Sequence, residues 1–407
     1  MENTDSMIIE PKVRGFICTT AHPEGCAQNI ARQIAYAKKM PATQGAGKVL
    51  VIGASTGYGL ASRIACAYSC GADTIGVIFD KPSKNQKRTA TPGWYNTAAF
   101  ERCATQDGLY AKSINGDAFS QEIKDQTIEM IRRDWGKADM VIYSLAAPRR
   151  TTPDGQTYQS VLKTTGDSYT NQTINLRTGE IAPVTIEPAT GEEIDATVKV
   201  MGGEDWKLWI DALTQADVLE KDAVTVAYSY IGPEVTYPIY KEGSIGQAKK
   251  DLYRSATEIC DNHPGIRAVV SVNKAVVTQS SAAIPIVPLY LSILFKVMKE
   301  EGLHENCMEQ MYRMIHDRIF TPEGIITDEQ GLIRMDDWEM KPEVQDRVKE
   351  IWNRVEAGEI TTDNLKEYTD IEGYWQEFYE MFGFSLDGVN YGQDVDIDQE
   401  IPSLQQD

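Results

Sequence analysis

The stretch KVLVIGASTGYG, residues 48–59, restricts the fold more than any other part of this chain. Lys48–Ile52 is a short apolar run, followed at once by Gly53-x-x-x-Gly57-x-Gly59 and then by LASRIACAYSC, with apolar residues at helical spacing. A buried strand that enters a helix through so glycine-rich a turn brings backbone amides and the positive helix end against whatever lies above the strand. That is the arrangement that holds a dinucleotide pyrophosphate. The glycine string alone is a weak signal, and its context strengthens it. Asp80 closes the next apolar run, 21 residues after Gly59, where a carboxylate accepts hydrogen bonds from an unphosphorylated adenosine ribose. Asp80 therefore favours NADH, although Lys81, Lys84 and Lys87 follow closely and could serve a 2′-phosphate.

DTIGVIF (73–79), GLYAKSI (108–114), ADMVIYSLA (138–146), DAVTVAYSYIG (222–232) and GIRAVVSVNK (265–274) are further β-rich apolar runs, interleaved with helical patterns such as EIKDQTIEMIRRDWG. Six strands alternating with helices predict an α/β fold with a Rossmann-type doubly wound parallel sheet. The turns at Gly116-Asp117-Ala118 and Ser144-Leu145-Ala146 then fall where such sheets contact adenine and the nicotinamide ribose. Residues 150–222 are too long for a plain crossover. They hold TINLRTGEIAPVTIEPATGEEI, which predicts an inserted hairpin region covering the active-site edge. Beyond residue 300 the chain turns helical and acidic, with an expected hairpin at 324–335, the helix KPEVQDRVKEIWNRVEAG and a polar tail whose last dozen residues read as mobile. The expected organisation is an N-terminal segment packed on the core (1–46), a catalytic core (47–300), and a mostly helical C-terminal extension with an acidic tail (301–407).

Net charge −20 argues against general nucleic-acid binding and requires any anionic substrate to find a local basic pocket. Seven cysteines without a Cys-x-x-Cys, and only four histidines, argue against a disulfide framework and a structural zinc site. Cys66 and Cys70 read as small side chains on one helix. Residues 275–295 carry no charge, yet Gln279, Ser280, Ser281, Pro285 and Pro288 interrupt them, so they read as a strand end, a loop and a core helix rather than a membrane span. MENTDSMIIE lacks the apolar core of a signal peptide. These features describe a cytoplasmic protein.

The chemistry concentrates in TYPIYKEGSIGQAKK, residues 236–250. Tyr237-x3-Lys241 has the spacing of short-chain carbonyl reductases, but Pro238, Gly243 and Gly246 oppose the helix that this pair needs. Tyr240 and Lys249 are nine positions apart, about 900° along a continuous helix, hence on opposite faces. They can converge only if a helix starts between them, and Ser244-x-x-Gln247 is a capping-box pattern that would start it.

GASTGYG, APRR, KVMGGEDW (199–206), AYSYIGPE (227–234), Tyr240-x8-Lys249 and SVNKAVVTQSSAAIPIVPLY (271–290) together resemble the trans-2-enoyl-CoA reductase family, over nearly the whole chain. The resemblance implies NADH-dependent reduction of the C2–C3 double bond of a trans-2-enoyl-CoA such as crotonyl-CoA, without flavin or metal, by an enzyme expected to be monomeric. It implies Tyr240 as proton donor, Lys249 as its partner and ribose contact, and Tyr230 as a substrate contact. It places cofactor contacts at Gly53, Ala54, Ser55, Thr56, Gly57 and Tyr58, at Phe79 and Asp80, at Asp117 and Ala118, at Leu145 and Ala146, and at Val276, Val277 and Thr278. PLYLSILFKVMK is expected to line the acyl pocket, with Phe295 either limiting chain length or packing in the core. Arg149 and Arg150 read as contacts for CoA phosphates or as a solvated pair. An enoyl-[acyl-carrier-protein] reductase is the principal alternative, with an acyl carrier protein as partner. A carbonyl reductase and an inactive nucleotide sensor are remote alternatives.

Overall fold

The computed structural model describes residues 6–14, 17–84, 87–175, 178–279, 281, 284 and 286–405. Met1–Asp5 of the signal-peptide argument, Ser280 and Pro285 of the uncharged stretch, and the last two tail residues lie outside them. Seven strands form the central sheet: β1 (Lys48–Ile52), β2 (Asp73–Ile78), β3 (Ala111–Asn115), β4 (Ala138–Tyr143), β5 (Leu219–Ser229), β6 (Arg267–Val272) and β7 (Leu332–Arg334). Their order is β7-β6-β5-β4-β1-β2-β3, and every pair is parallel. The order reverses at β1, so the chain leaves β1 and β4 in opposite directions and opens a crevice at their carboxyl ends.

Helices cover both faces, because successive side chains of a strand point to opposite sides. Val49 and Val51 of β1 join one buried cluster with α1 (Pro23–Lys39), α2 (Gly57–Ser69) and α3 (Pro92–Gln106). Leu50 and Ile52 join the other, with α4 (Gln121–Asp134), α6 (Glu204–Gln215) and α7 (Ser244–Asn262). Between α4 and α6, the short α5 (Gly191–Met201) packs on α7. A third cluster joins α8 (Val287–Glu300) to α10 (Pro342–Glu356) and α11 (Ile371–Glu380), with α9 (Cys307–Met314) lying against α2. Among the described residues no helix is long and apolar enough to cross a membrane.

Three sequence expectations need correction, and a fourth, the inserted hairpin, is met. The 324–335 segment is not a hairpin: Leu332–Arg334 extends the main sheet by pairing in parallel with Val270–Val272. Residues 150–222 do hold the expected hairpin, within the TINLRTGEIAPVTIEPATGEEI stretch. Arg149–Thr151 pairs with Thr157–Gln159, and the longer Tyr169–Asn175/Glu180–Ile186 hairpin buries Ile174 and Ile186 in the α8 cluster. The tail is pinned rather than mobile. Ile397 and Ile401 are buried, the Tyr95 hydroxyl donates to the Ile397 carbonyl (2.8 Å), and Glu101 accepts from the Ser403 amide (2.9 Å). Arg150 is neither solvated nor free for a phosphate, being buried against the Phe119 ring and bonded to Glu204 (2.8 Å) and the Lys199 carbonyl (2.6 Å), whereas Arg149 is exposed.

Buried beside that arginine, Lys124 pairs with Asp205 at 2.9 Å, and its ammonium also donates to the Ala118 (3.1 Å) and Phe119 (3.2 Å) carbonyls. Lys124→Met strands the Asp205 carboxylate in the core and is expected to lower stability by about 3–5 kcal/mol in urea unfolding. Lys124→Met combined with Asp205→Leu should cost less than the single change.

Candidate active site

The crevice begins where β1 runs into α2. Gly53 has φ +84°, in the region that glycine tolerates, and a Cβ there would overlap the Ser144 carbonyl oxygen. A Cβ on Gly59 would overlap the Gly53 carbonyl oxygen, so helix and strand meet backbone to backbone. Thr56 precedes the helix without a side-chain capping bond, which leaves first-turn amides available to a ligand. Tyr58 ties this helix across the sheet: its hydroxyl donates to the Lys274 carbonyl (2.6 Å) and accepts from Gln310 (3.0 Å).

Above the crevice lies a cavity of about 1290 Å³. Gly53, Ser55, Thr56, Gly57 and Tyr58 line it, whereas Ala54 is buried beneath and does not. Phe79 and Asp80 line it after β2, Asp117 and Ala118 after β3, Leu145 and Ala146 after β4. Val277 and Thr278 also line it, but Val276 is turned into the protein. Phe79 is 77% exposed, an aromatic face left open on the cavity wall. Asp80 Oδ1 accepts from the Thr91 hydroxyl (2.7 Å), while Oδ2 is shielded from solvent and has no partner among the described residues. Burial pushes this carboxyl up, and the Ser55 and Thr91 hydroxyls pull it down. An unpartnered, shielded acceptor at the end of β2 fits a ribose hydroxyl. The amide of Asn273, whose Nδ2 is likewise shielded and unpartnered, adds an orphan donor to the cavity wall. Lys81 and Lys84 also line the cavity, joined by Arg88; Lys87 does not.

Tyr230, Tyr240 and Lys249 meet at the same cavity. The helix does start between the last two, at Ser244, so Tyr240 sits on the preceding turn and Lys249 in the second turn of α7. Its capping residue is Gly243, without a side-chain cap. The capping-box expectation fails because Ser244 bonds elsewhere, donating to the Val161 carbonyl (2.6 Å) and accepting from the Lys163 amide (3.2 Å). That link ties residues 161–163 to the turn, and Leu162 beside them reaches the cavity. Gly246 has no room for a Cβ against the Tyr240 and Lys241 carbonyls, so the helix packs tightly on the turn that carries Tyr240.

Tyr240 meets Tyr230 edge to face at 4.7 Å between ring centroids, and its hydroxyl has no hydrogen-bond partner among the described residues. Burial and the Glu339 carboxylate hold its proton more tightly than in free tyrosine. Lys249 donates to the Tyr228 carbonyl at 3.0 Å. Desolvation lowers its pKa to about 8. Tyr237 and Lys241, the carbonyl-reductase pair, lie 4.2 Å apart as ring and cation, and neither lines the cavity. No residue of α8 lines it either. Phe295 is fully buried, 4.6 Å from the His304 ring, which makes it core rather than an acyl stop.

Family models match three successive segments: "NAD(P)H binding domain of trans-2-enoyl-CoA reductase" over residues 8–85, "Trans-2-enoyl-CoA reductase catalytic region" over 88–320, and "Enoyl reductase FAD binding domain" over 327–395. The chain belongs to the trans-2-enoyl-CoA reductase family. It is 55% identical to a Ruminiclostridium cellulolyticum protein named trans-2-enoyl-CoA reductase [NADH], over 98% of this chain and all of that one. It is 54% identical to a Coxiella burnetii enoyl-[acyl-carrier-protein] reductase [NADH], over 98% of each. Among solved structures it resembles the Treponema denticola trans-2-enoyl-CoA reductase in complex with NAD, with 46% identity, TM-score 0.93, and coverage of 97% of this chain and 100% of that one. It also resembles the Clostridium acetobutulicum reductase in complex with NADH, with 45% identity, TM-score 0.92, and coverage of 96% and 98%.

The glycine turn, Asp80 Oδ2 and the exposed Phe79 fit the NADH named for these relatives. The 327–395 segment does not fit a flavin: its large aromatics Trp352, Tyr374 and Phe378 are packed in the α8 cluster, and it meets the cavity through Glu377, Glu380, Met381 and Phe382. The cavity is also lined by Tyr228 and Asn273, with Glu339 buried behind Tyr230, and sequence reasoning passed over all three. AYSYIG held a partial signal for the first, since strand alternation separates Tyr228 from its neighbours.

Two outcomes check the electrostatics. Asp80→Ser should raise the NADPH-to-NADH ratio of kcat/KM by about tenfold or more, because a carboxylate repels a 2′-phosphate. NADH affinity, followed by fluorescence titration, should fall as pH rises through about 8, where Lys249 loses its charge. The stability effect has the opposite sign. A lysine whose folded pKa lies below its ordinary 10.5 costs stability while protonated in the fold, and that cost is relieved as pH rises from about 8 towards 10.5. Lys249→Met should weaken NADH binding and remove both trends.

Proposed function

We propose that this chain reduces the C2–C3 double bond of a trans-2-enoyl-CoA with NADH, and that Tyr240 and Lys249 are its catalytic residues. The observation that carries the reading is the convergence of an unpartnered Tyr240 hydroxyl and the Lys249 ammonium on the cavity that the glycine turn and Asp80 also line. NADH, when bound, supplies the hydride for C3. Negative charge then develops on the thioester oxygen. The Tyr240 hydroxyl stabilises that charge and provides the proton that ends on C2. A phenol is a weak acid near neutral pH, and Lys249 favours the phenolate left behind while holding the ribose. Tyr230 forms the adjoining wall. The contacts proposed for the cofactor are Gly53 to Tyr58, Phe79, Asp80, Asp117, Ala118, Leu145, Ala146, Lys249 and the Val276–Thr278 loop. Ala54 and Val276 enter that set through their backbone, since neither side chain lines the cavity.

The seven free cysteines fit a reducing, cytoplasmic setting. The resemblance to the Coxiella reductase supports a second reading, in which the acyl group arrives on acyl carrier protein. NADH consumption with crotonyl-CoA, run beside crotonyl-acyl carrier protein, decides between them: the proposal expects the higher kcat/KM with CoA, and no turnover with either substrate would sink it. Tyr240→Phe should lower kcat by about two orders of magnitude or more with NADH affinity kept. Near wild-type turnover in that variant would move the acid to another group.

A further inference from the structure

Glu339 lies in the turn between β7 and α10 and is fully buried. Its carboxylate receives three hydrogen bonds. Oε1 accepts from the hydroxyls of Tyr230 (2.9 Å) and Tyr290 (2.5 Å), and Oε2 accepts from the Ala275 amide (2.7 Å). Gln345 Nε2 closes the group by donating to the Tyr290 hydroxyl (3.3 Å) and to the Glu339 carbonyl (2.7 Å). Burial raises the Glu339 carboxyl, and Lys274, the Tyr290 hydroxyl and the Ala275 amide pull it down.

A tyrosine hydroxyl has one proton to give. Tyr230 gives its proton to Glu339, so it offers the cavity lone pairs and no donor. Its ring meanwhile meets Tyr240 edge to face, and Ala275 begins the loop that carries Val277 and Thr278 to the cavity. One carboxylate thus fixes both the tyrosine beside the proposed acid and the root of the loop opposite the glycine turn.

We propose that Glu339 is a positioning residue that locks Tyr230 as a hydrogen-bond acceptor against Tyr240, leaving Tyr240 as the donor of that pair for the thioester oxygen. This rests on the reading of Tyr240 as the acid. It assigns Tyr230 a role in shaping the site and holding Tyr240, and denies it a share in stabilising the developing oxyanion.

The test uses the full-length enzyme with NADH and crotonyl-CoA. Loss of an oxyanion donor costs a hundredfold or more in kcat, on the order of 10²–10³. Loss of a positioning contact costs less, so Tyr230→Phe should lower kcat by no more than about tenfold, with NADH affinity unchanged. Glu339→Gln should give a similar fall, and the Tyr230→Phe/Glu339→Gln double variant should be no slower than the slower single variant, because both changes break one link. A purely structural role for Glu339 predicts losses that multiply in the double variant and weaken NADH binding in parallel, and that pattern would overturn the proposal. So would a fall of a hundredfold or more in Tyr230→Phe, which decides the matter even if Glu339→Gln does not fold. The assignment of Tyr240 is read separately: an active Tyr240→Phe removes the underlying reading, whereas an inactive Tyr240→Phe beside a severely impaired Tyr230→Phe refutes only the role given to Glu339.

Discussion

The contact between Gly53 and Gly59 sets the position of everything at the carboxyl ends of the sheet. No side chain separates the end of β1 from the start of α2, and the Ser144 backbone closes on the same point from β4. From there a short series of hydrogen bonds runs across the molecule. Tyr58 of α2 holds the Lys274 carbonyl, the next residue's amide binds Glu339, and Glu339 holds Tyr230 against Tyr240. A methyl group at Gly59 would be felt at the far end of that series, because α2 could not move outward without pulling Tyr58 off the β6 loop. Close packing transmits such a displacement instead of absorbing it.

The site reconciles an acidic protein with an anionic ligand by segregating charge. The loop after β2 brings Lys81, Lys84 and Arg88 to the cavity, while Glu309, Glu377 and Glu380 line it from α9 and α11. Arg32 is held by Glu380 on the second side, so its charge is already matched there. The net charge of −20 therefore describes the outer surface and says little about the potential felt by a bound nucleotide.

Much of this was legible in the sequence for identifiable reasons. Six strands were readable because parallel strands buried on both faces are unbroken apolar runs, and β1, β2 and β4 start at the residue where those runs begin. The convergence of Tyr240 and Lys249 was readable because helical rotation forbids it unless a helix begins between them. The identity of the cap was not, because Ser244 is recruited by Val161, some 80 residues earlier in the chain. Distance along the chain also hid Glu339, which meets Tyr230 across 109 residues and sits in no recognisable pattern. The strand Leu332–Arg334 is three residues of mixed polarity, too short for a period to show. Arg150 looked solvent-facing because its carboxylate partner, Glu204, lies 54 positions away.

The pinned tail has a consequence for how the sheet ends. β3 is one of the two outermost strands, and an outermost strand offers unpaired amides to any extended chain that comes near. Here the Ser403 hydroxyl accepts from the Ser113 amide of β3 at 2.8 Å, and Ile401 plugs the adjoining apolar cluster. Residues 401–404 thus act as a stopper on that edge, standing where a strand from another copy of the chain would have to pair. Shortening the protein from its carboxyl terminus would first remove protection against self-association, well before it touched a residue that lines the cavity.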